Sequence, residues 1–420
     1  MSTEKKAQMP LAGIAAIWLS AIANLGNTAS MGGKALNADQ GIHDQMVEWR
    51  HDFHRHPELE FDLPRTSARV AELLEGFGLA VHRGIGNSGV VGILKKGLGR
   101  RAIGIRAEMD ALPVTEENAF AHKSAIPGKM HACGHDGHMS MALGAAKRLA
   151  EHGSIDGTVV FIFQPNEEHG KGAAAMIDDG LFNRFPVDAV YAIHNIPDMP
   201  LGHFSTRTGP VTASEALFEI EINANGGHAA LPHMGVDAIA VGSELVCSLQ
   251  TIVSRKLDPS MNGVVSVTGF ASDGRRNVLA GRAVLSGDCR ALSPGTNTAI
   301  ETAMRRLATG ICSSHGATAR VAYKTIFPAT INSIEAHACA MSAGRSIGAI
   351  VDGACPPMLF SEDFSHMANM AAGCLVFMGN GTEGEHARPL HSSQYDFNDA
   401  ALISGASFWV ALAEGELSHV

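Results

Sequence analysis

Short apolar runs alternate with stretches of helical periodicity between about residues 42 and 193, and that alternation confines the chain to an α/β architecture. Residues 42–56, ending before Pro57, and 66–77 carry apolar side chains at helical spacing. Residues 90–94, 102–106, 159–163 and 189–193 are too short for helices and read as strands. The run Val159-Val160-Phe161-Ile162-Phe163 is apolar at every position, as a strand buried on both faces requires. Residues 139–152, stopping at Gly153, and 172–181 read as helices between strands. Polar residues fall just past the strands: Asp110 after one, Glu167 and Glu168 after a second, His194 at the end of a third. Ligands in open α/β sheets gather at the carboxyl ends of strands, so these residues are expected in one crevice.

The texture changes near Phe218-Glu219-Ile220-Glu221-Ile222, where apolar and acidic residues alternate as in a half-exposed strand. An amphipathic helix over 235–252, strands at 263–268 and 282–287, a helix over 296–315 and a strand near 317–323 complete a β-rich α+β module. At 420 residues the chain exceeds one ordinary core, which fits two domains. Its 45% hydrophobic and 18% charged content excludes a disordered chain. A net charge of -10 and the lack of long Lys/Arg runs argue against nucleic acid and for a small-molecule partner. Seven scattered cysteines, an odd number, do not form a disulfide framework, and a reduced compartment suits them.

At the N-terminus, Lys5-Lys6 precedes an uncharged apolar run over 11–25 and the small residues Thr28-Ala29-Ser30. This has the form of a secretory signal. The competing readings are an N-terminal extension or a helix that docks on the fold. The run is shorter than the roughly 20 residues of a membrane span. A cytoplasmic location is the first expectation, and a periplasmic or secreted one follows if residues 1–30 are a signal peptide.

The chemistry concentrates in two places. Met130-His131-Ala132-Cys133-Gly134-His135-Asp136-Gly137-His138 packs a thiol, three imidazoles and a carboxylate into nine residues. Cys and neutral His suit borderline divalent cations, and Gly134 permits a tight loop that aims Cys133 and His135 at one point. The second cluster, Gln164-Pro165-Asn166-Glu167-Glu168-His169-Gly170, follows the apolar strand directly, and its two carboxylates could serve as base and ligand. Each feature has a plainer reading: a satisfied loop thiol, an acidic pair at a helix start, a core histidine at a strand end. Their clustering favours the site. His131 and His138 are expected behind the ligands, Glu362 and Asp363 as supports, and His51, His54 and His56 as packing or solvent-facing residues of a helix.

Six motifs in order resemble the M20 metallopeptidases, most closely the hippurate hydrolase, aminoacylase and indole-acetyl-amino-acid hydrolase branch. They are Arg106-Ala107-Glu108-Met109-Asp110-Ala111-Leu112-Pro113, the Cys133 cluster, Gln164 to Glu168, Gly226-Gly227-His228-Ala229-Ala230-Leu231-Pro232-His233, Phe360-Ser361-Glu362-Asp363-Phe364 and Leu390-His391-Ser392-Ser393. The resemblance implies an α/β fold: a mostly parallel-sheet, dinuclear-metal catalytic domain interrupted by a smaller α+β lid or dimerisation domain. The corresponding division is 1–40 extension, 41–211 and 326–420 catalytic domain, and 212–325 lid. It further implies Cys133, His135, Glu168, His194 and His391 as metal ligands, Glu167 as general base and Asp110 as the carboxylate orienting the site. His228 and Asn277 from the lid would contact substrate, His228 at the developing oxyanion, and Arg290 would meet a substrate carboxylate.

Two departures stand out. Glu108 takes the place of the branch's usual Asp beside the site, and Asn277-Val278-Leu279-Ala280-Gly281 replaces the more frequent Asn-Val-Ile-Pro.

The expected activity is metal-dependent cleavage of an N-acyl or N-aroyl amino acid by an activated water with Glu167 as base. Two divalent ions per subunit are implied, Mn or Zn first and Co or Ni next, with a homodimer formed through the lid. Three rivals remain. A dipeptidase or exopeptidase needs a group for a free α-amine, and none is identifiable. A hydrolytic deaminase of an aromatic amine is kept open by Glu108 and the altered lid motif. A non-catalytic metal-binding protein has no use for Glu167.

Overall fold

The structure, a computed structural model, describes residues 40–418; the signal-like segment lies outside them. The chain opens with α1 (Gln40–Arg55) and α2 (Pro64–Gly76), the latter started by Pro64, whose fixed φ suits the first helical turn. Then come β1 (Ala80–Ile85), β2 (Gly89–Lys96), β3 (Ala102–Glu108), α3 (His135–His152), β4 (Gly157–Gln164), α4 (Gly172–Asp178), β5 (Ala189–Pro197) and β6 (Phe204–Ser205). A second unit holds β7 (Ser214–Asn223), α5 (Ala238–Leu249), β8 (Gly263–Ser272), β9 (Arg282–Ala291), α6 (Pro294–Ser314) and β10 (Thr318–Phe327). The chain returns through α7 (Ile334–Ser346), β11 (Val351–Asp352), α8 (Phe364–Ala368), β12 (Ala372–Gly381) and α9 (Ala401–Glu416).

The large sheet has eight strands in the order β1-β2-β4-β3-β5-β12-β6-β11. Its centre, β4-β3-β5-β12, is parallel throughout. Period-two alternation sends neighbouring side chains to opposite faces. Phe161, Phe163, Tyr191, Ile193 and Val376 pack under α1, α3, α7 and α9, while Val160, Ile162, Val190, Ala192 and Phe377 pack with Met176, Phe364 and Met367 on the other face. Complete burial of such side chains stabilises by about 1.5–3 kcal/mol each, which explains why the middle stretches of these strands are mostly apolar on both faces.

The second unit is a four-stranded antiparallel sheet, β8-β9-β7-β10, with α5 and α6 on one face. The alternation read from the sequence holds: Phe218, Ile220 and Ile222 enter the core, and Glu219 faces solvent. The strands Gly209–Thr212 and Thr330–Asn332 pair at the crossing between the units, where Thr212 Oγ1 donates to Thr330 Oγ1 at 2.6 Å. Among the described residues no helix is long and apolar enough to cross a membrane.

Two local differences from the sequence expectation have clear causes. The helix expected from 139 starts at His135, because Gly134 takes a left-handed φ of 95° and turns the chain into the helix one turn earlier. The helix expected over 172–181 stops at Asp178, and Gly180 at φ 84° begins a separate turn, Leu181–Arg184.

The α1 histidines do more than pack. His54 is buried, with Nδ1 2.9 Å from Asp136 Oδ2 and Nε2 3.2 Å from Glu116 Oε1. Burial lowers its proton affinity, but the two carboxylates outweigh it and raise the pKa to about 9. An imidazolium whose pKa exceeds its unfolded value stabilises the fold fully below that value and loses the contribution as pH rises through the folded pKa. Wild type should therefore exceed His54→Gln in unfolding free energy by on the order of 3 kcal/mol at pH 6, with the gap closing above about pH 9. Urea denaturation at pH 6, 7.5 and 9.5 measures this, and a gap independent of pH would contradict it.

Candidate metal-dependent active site

The carboxyl ends of β3, β4 and β5 supply the site, and one residue organises it. Asp110, two positions beyond β3, is buried and accepts the backbone N–H of Glu167 at 3.0 Å and of Glu168 at 3.1 Å through its two carboxylate oxygens. Its own carbonyl accepts from His135 Nδ1 at 2.8 Å. A carbonyl only accepts, so Nδ1 carries the proton and the Nε2 lone pair of His135 faces Glu167 and Glu168. His194 repeats the device: Nδ1 donates to the Asn195 carbonyl at 2.8 Å, and Nε2 lies 3.4 Å from Cys133 Sγ.

Around this pair the remaining groups close in. His135 Nε2 is 3.9 Å from Glu167 Oε2 and 4.0 Å from Glu168 Oε1. His391, brought from the far end of the chain, sets Nε2 3.5 Å from Glu168 Oε2. Its backbone N–H bonds to the Ala132 carbonyl at 2.8 Å and its φ is 64°, an unusual conformation that aims the ring inward. Asn166, just before the two glutamates, also has positive φ, at 50°. Gly134 admits no side chain, since a methyl there would sit 2.2 Å from Asn195 Oδ1.

Whether divalent cations suit this site can be read from its donors. Ligand atoms of Cys133, His135 and His194 lie within 4.8 Å of one another, as do those of Cys133, Glu168 and His391 and those of His135, Glu167 and Glu168. His135 Nε2 and Glu168 Oε1 are buried and have no hydrogen-bond partner among the described residues. Burial pushes Glu167 well above the usual carboxylate range, helped by Glu362 and Glu168, and does the same to Glu168 beside Asp110. It raises the Cys133 thiol, holds His135 well below its ordinary value and lowers His194 to about 4. Buried carboxylates, a thiol and neutral imidazoles crowded together are a donor set that lacks positive charge, and two divalent cations fit it.

A second shell holds these groups. Arg106 is fully buried and donates to Glu108, to Glu362 at 2.9 Å, to Asp363 at 2.8 Å and to Gln164 at 2.9 Å. Glu362 and Asp363 thus support the site as expected. The other oxygen of Glu108 is 2.8 Å from His138 Nδ1, and His138 Nε2 accepts from the Asn195 backbone at 3.1 Å. Glu108 does not line the cavity, so its extra methylene meets Arg106 and His138 and does not reshape the pocket. His131 is buried as well, with neither ring nitrogen bonded among the described residues.

The cavity, about 420 Å³, is lined by Cys133, Glu167, Glu168, His194 and His391, by Phe327, Phe360 and Leu390, and by Glu215, Arg290, Ser361 and Glu362. Arg290, expected near the site, is there. His228 and Asn277 are not: they stand exposed at a small two-stranded sheet where Gly227–His228 pairs antiparallel with Val278–Leu279. The reading of the sequence missed Glu215, which looks like one more acidic residue of the half-exposed strand β7. It also gave Arg106 no role, although a lone guanidinium within an apolar strand was a signal that buried carboxylates must answer it.

Comparison with known proteins agrees with this arrangement. Residues 104–415 match the family described as Peptidase family M20/M25/M40. The chain is 37% identical over 368 residues to a hippurate hydrolase of Campylobacter jejuni, covering 87% of this chain and 94% of that protein. It is 36% identical over 379 residues to an IAA-amino acid hydrolase, ILR1-like 4, of Arabidopsis thaliana, covering 88% and 85%. Its fold superposes on a Bacillus subtilis protein, YXEP, described as a dinuclear metal binding peptidase from the M20 family, with a TM-score of 0.81, 29% identity and coverage of 91% and 100%. The chain belongs to peptidase family M20/M25/M40 and is a metal-dependent hydrolase of that family.

Proposed function

We propose that this hydrolase cleaves an N-acyl or N-aroyl amino acid to a carboxylate and a free amino acid. One observation carries the reading: Glu167 and four candidate ligands, Cys133, Glu168, His194 and His391, line a single cavity with an apolar wall of Phe327, Phe360 and Leu390 and with the guanidinium of Arg290, and His135 lies directly behind Glu167 and Glu168. The apolar wall suits an acyl or aroyl group, and Arg290 suits the carboxylate of the amino-acid half. The hippurate and IAA-amino acid hydrolases named above support the same substrate class.

In this reading Cys133, His135, Glu168, His194 and His391 hold two divalent ions, manganese or zinc before cobalt or nickel. Such ions supply a Lewis acid for the carbonyl oxygen and lower the pKa of a water. Cys133, as thiolate, would add an anionic ligand that offsets the repulsion between two cations. Glu167 accepts a proton from the attacking water at its carboxylate and returns it to the leaving nitrogen. Asp110 keeps Glu167 and Glu168 aimed by holding their backbone N–H groups. The aromatic-amine deaminase reading loses its support at Glu108, whose carboxylate is committed to Arg106 and His138.

Residues 212–325 form the lid in this proposal, and the protein is a homodimer through it. His228 and Asn277 are remote from the cavity of their own chain, so their substrate role requires a lid from a second copy, with His228 bonding the oxyanion. Mixing inactive Glu167→Ala with inactive His228→Ala should then restore up to about a quarter of wild-type activity through mixed dimers. Failure to complement, or a monomer by light scattering, would reject this arrangement.

Turnover is tested on N-acetyl, N-benzoyl and indole-acyl amino acids plus simple aryl amines. Glu167→Ala should lower kcat on the acyl amino acids by about 10²–10⁴-fold while keeping its metal. Ammonia released from aryl amines alone would reject the amidohydrolase reading. Cys133→Ala and His135→Ala should each purify with less metal than wild type, and chelation should silence the enzyme until manganese or zinc is returned. Full metal content in both variants would show that the ligands lie elsewhere.

A further inference from the structure

The cavity wall opposite the ligand cluster is not a simple cationic clamp. Glu215 in β7 and Arg290 in β9 are direct cross-strand partners, and both line the cavity. Arg290 Nη1 is 3.1 Å from Glu215 Oε2 and donates to Ser361 Oγ at 2.8 Å, while Nε donates to Asp288 Oδ2 at 2.9 Å. One guanidinium therefore answers two carboxylates, and its contacts occupy Nε and Nη1. Among the described residues Nη2 of Arg290 donates no hydrogen bond and Oε1 of Glu215 accepts none.

A ligand bearing only a carboxylate would meet Nη2 but also the neighbouring charge of Glu215. A ligand bearing an ammonium beside its carboxylate satisfies both groups, the carboxylate on Nη2 and the ammonium on Oε1. We propose that Glu215 is a specificity-determining residue that, with Arg290, selects amides whose amine half carries both a carboxylate and an ammonium group: N-acyl derivatives of basic amino acids, acylated on the α or the side-chain nitrogen. This rests on the amidohydrolase reading above. Both side chains are 23% exposed, so solvent screens the pair in part and the discrimination is moderate.

The test compares kcat/KM for Nα-benzoyl-lysine, Nε-benzoyl-lysine, N-benzoyl-norleucine and N-benzoyl-glutamate with wild type, Glu215→Gln and Glu215→Asp. Wild type should favour at least one lysine derivative over the norleucine compound by about tenfold, and the better derivative identifies which nitrogen is acylated. Glu215→Gln should abolish that preference mainly through KM, raising kcat/KM for the norleucine compound and more so for the glutamate compound while lowering it for the favoured lysine derivative; Glu215→Asp should retain the preference. An ammonium-blind wild type, or a Glu215→Gln variant that slows every substrate equally, would overturn the proposal and leave Glu215 as a structural partner of Arg290. A wild type inert on all four but active on other acyl amino acids would also overturn it. One inert on every acyl amino acid would remove the amidohydrolase reading itself, and this inference with it.

Discussion

Asp110 is the point on which the site turns. A single buried side chain holds the backbone of Glu167 and Glu168, and the same residue's carbonyl fixes the tautomer of His135. These three bonds extend the β3–β4 pairing past the strand ends and tie both to the start of α3. Burial raises Asp110 to about 7 against the opposing effect of the two N–H bonds. Its role is geometric, since it lies behind the cavity and does not line it.

Behind Asp110 the protein tolerates an uncommon amount of buried charge. Arg106 answers Glu108, Glu362 and Asp363, and Arg50 answers Asp136, Asp396 and Asp399. Both arginines are completely buried, and each joins parts of the chain from opposite ends of the sequence. Desolvation offsets much of the attraction in such pairs, so they contribute little net stability, whereas removal of one partner leaves a buried charge and costs about 3–5 kcal/mol. Their effect is on register: α1, the Cys133 loop and the C-terminal segment before α9 meet in one arrangement because Arg50 and His54 accept no other. The excess of carboxylates over guanidinium groups at the inner face leaves a site that favours added cations.

Much of this was legible in the residues. The all-apolar run 159–163 announced a covered central strand, and the polar residues just past β3 and β4 and in β5 announced the crevice, because ligands gather at the carboxyl ends of parallel strands. The alternation at 218–222 marked the second sheet with its exposed face. Less was legible where a contact spans the chain. Nothing local distinguishes His54 from His51 on the same helix or from His56 just past its end, yet of the three only His54 lies between two buried carboxylates. Glu215 belongs to the same acidic alternation as Glu219 and Glu221, and only the antiparallel register with β9 turns it into a cavity wall. Glu108 was placed close to the site by the resemblance, and it lies there beside His135 and His138, but nothing local showed that its carboxylate would be taken up by Arg106, two positions away on the same strand face, and by His138.

By itself the sequence determined the elements, their order, the reactive residue types and which strand ends would carry them, since periodicity and residue chemistry are local properties. The tertiary structure decided which donors converge, which tautomer each histidine adopts and which groups stay outside. Cys133 meets His194, His391 meets Glu168, and His228 stays on an exposed two-stranded sheet. These outcomes depend on distances between segments far apart in sequence, which the packing of the two sheets and their helices sets.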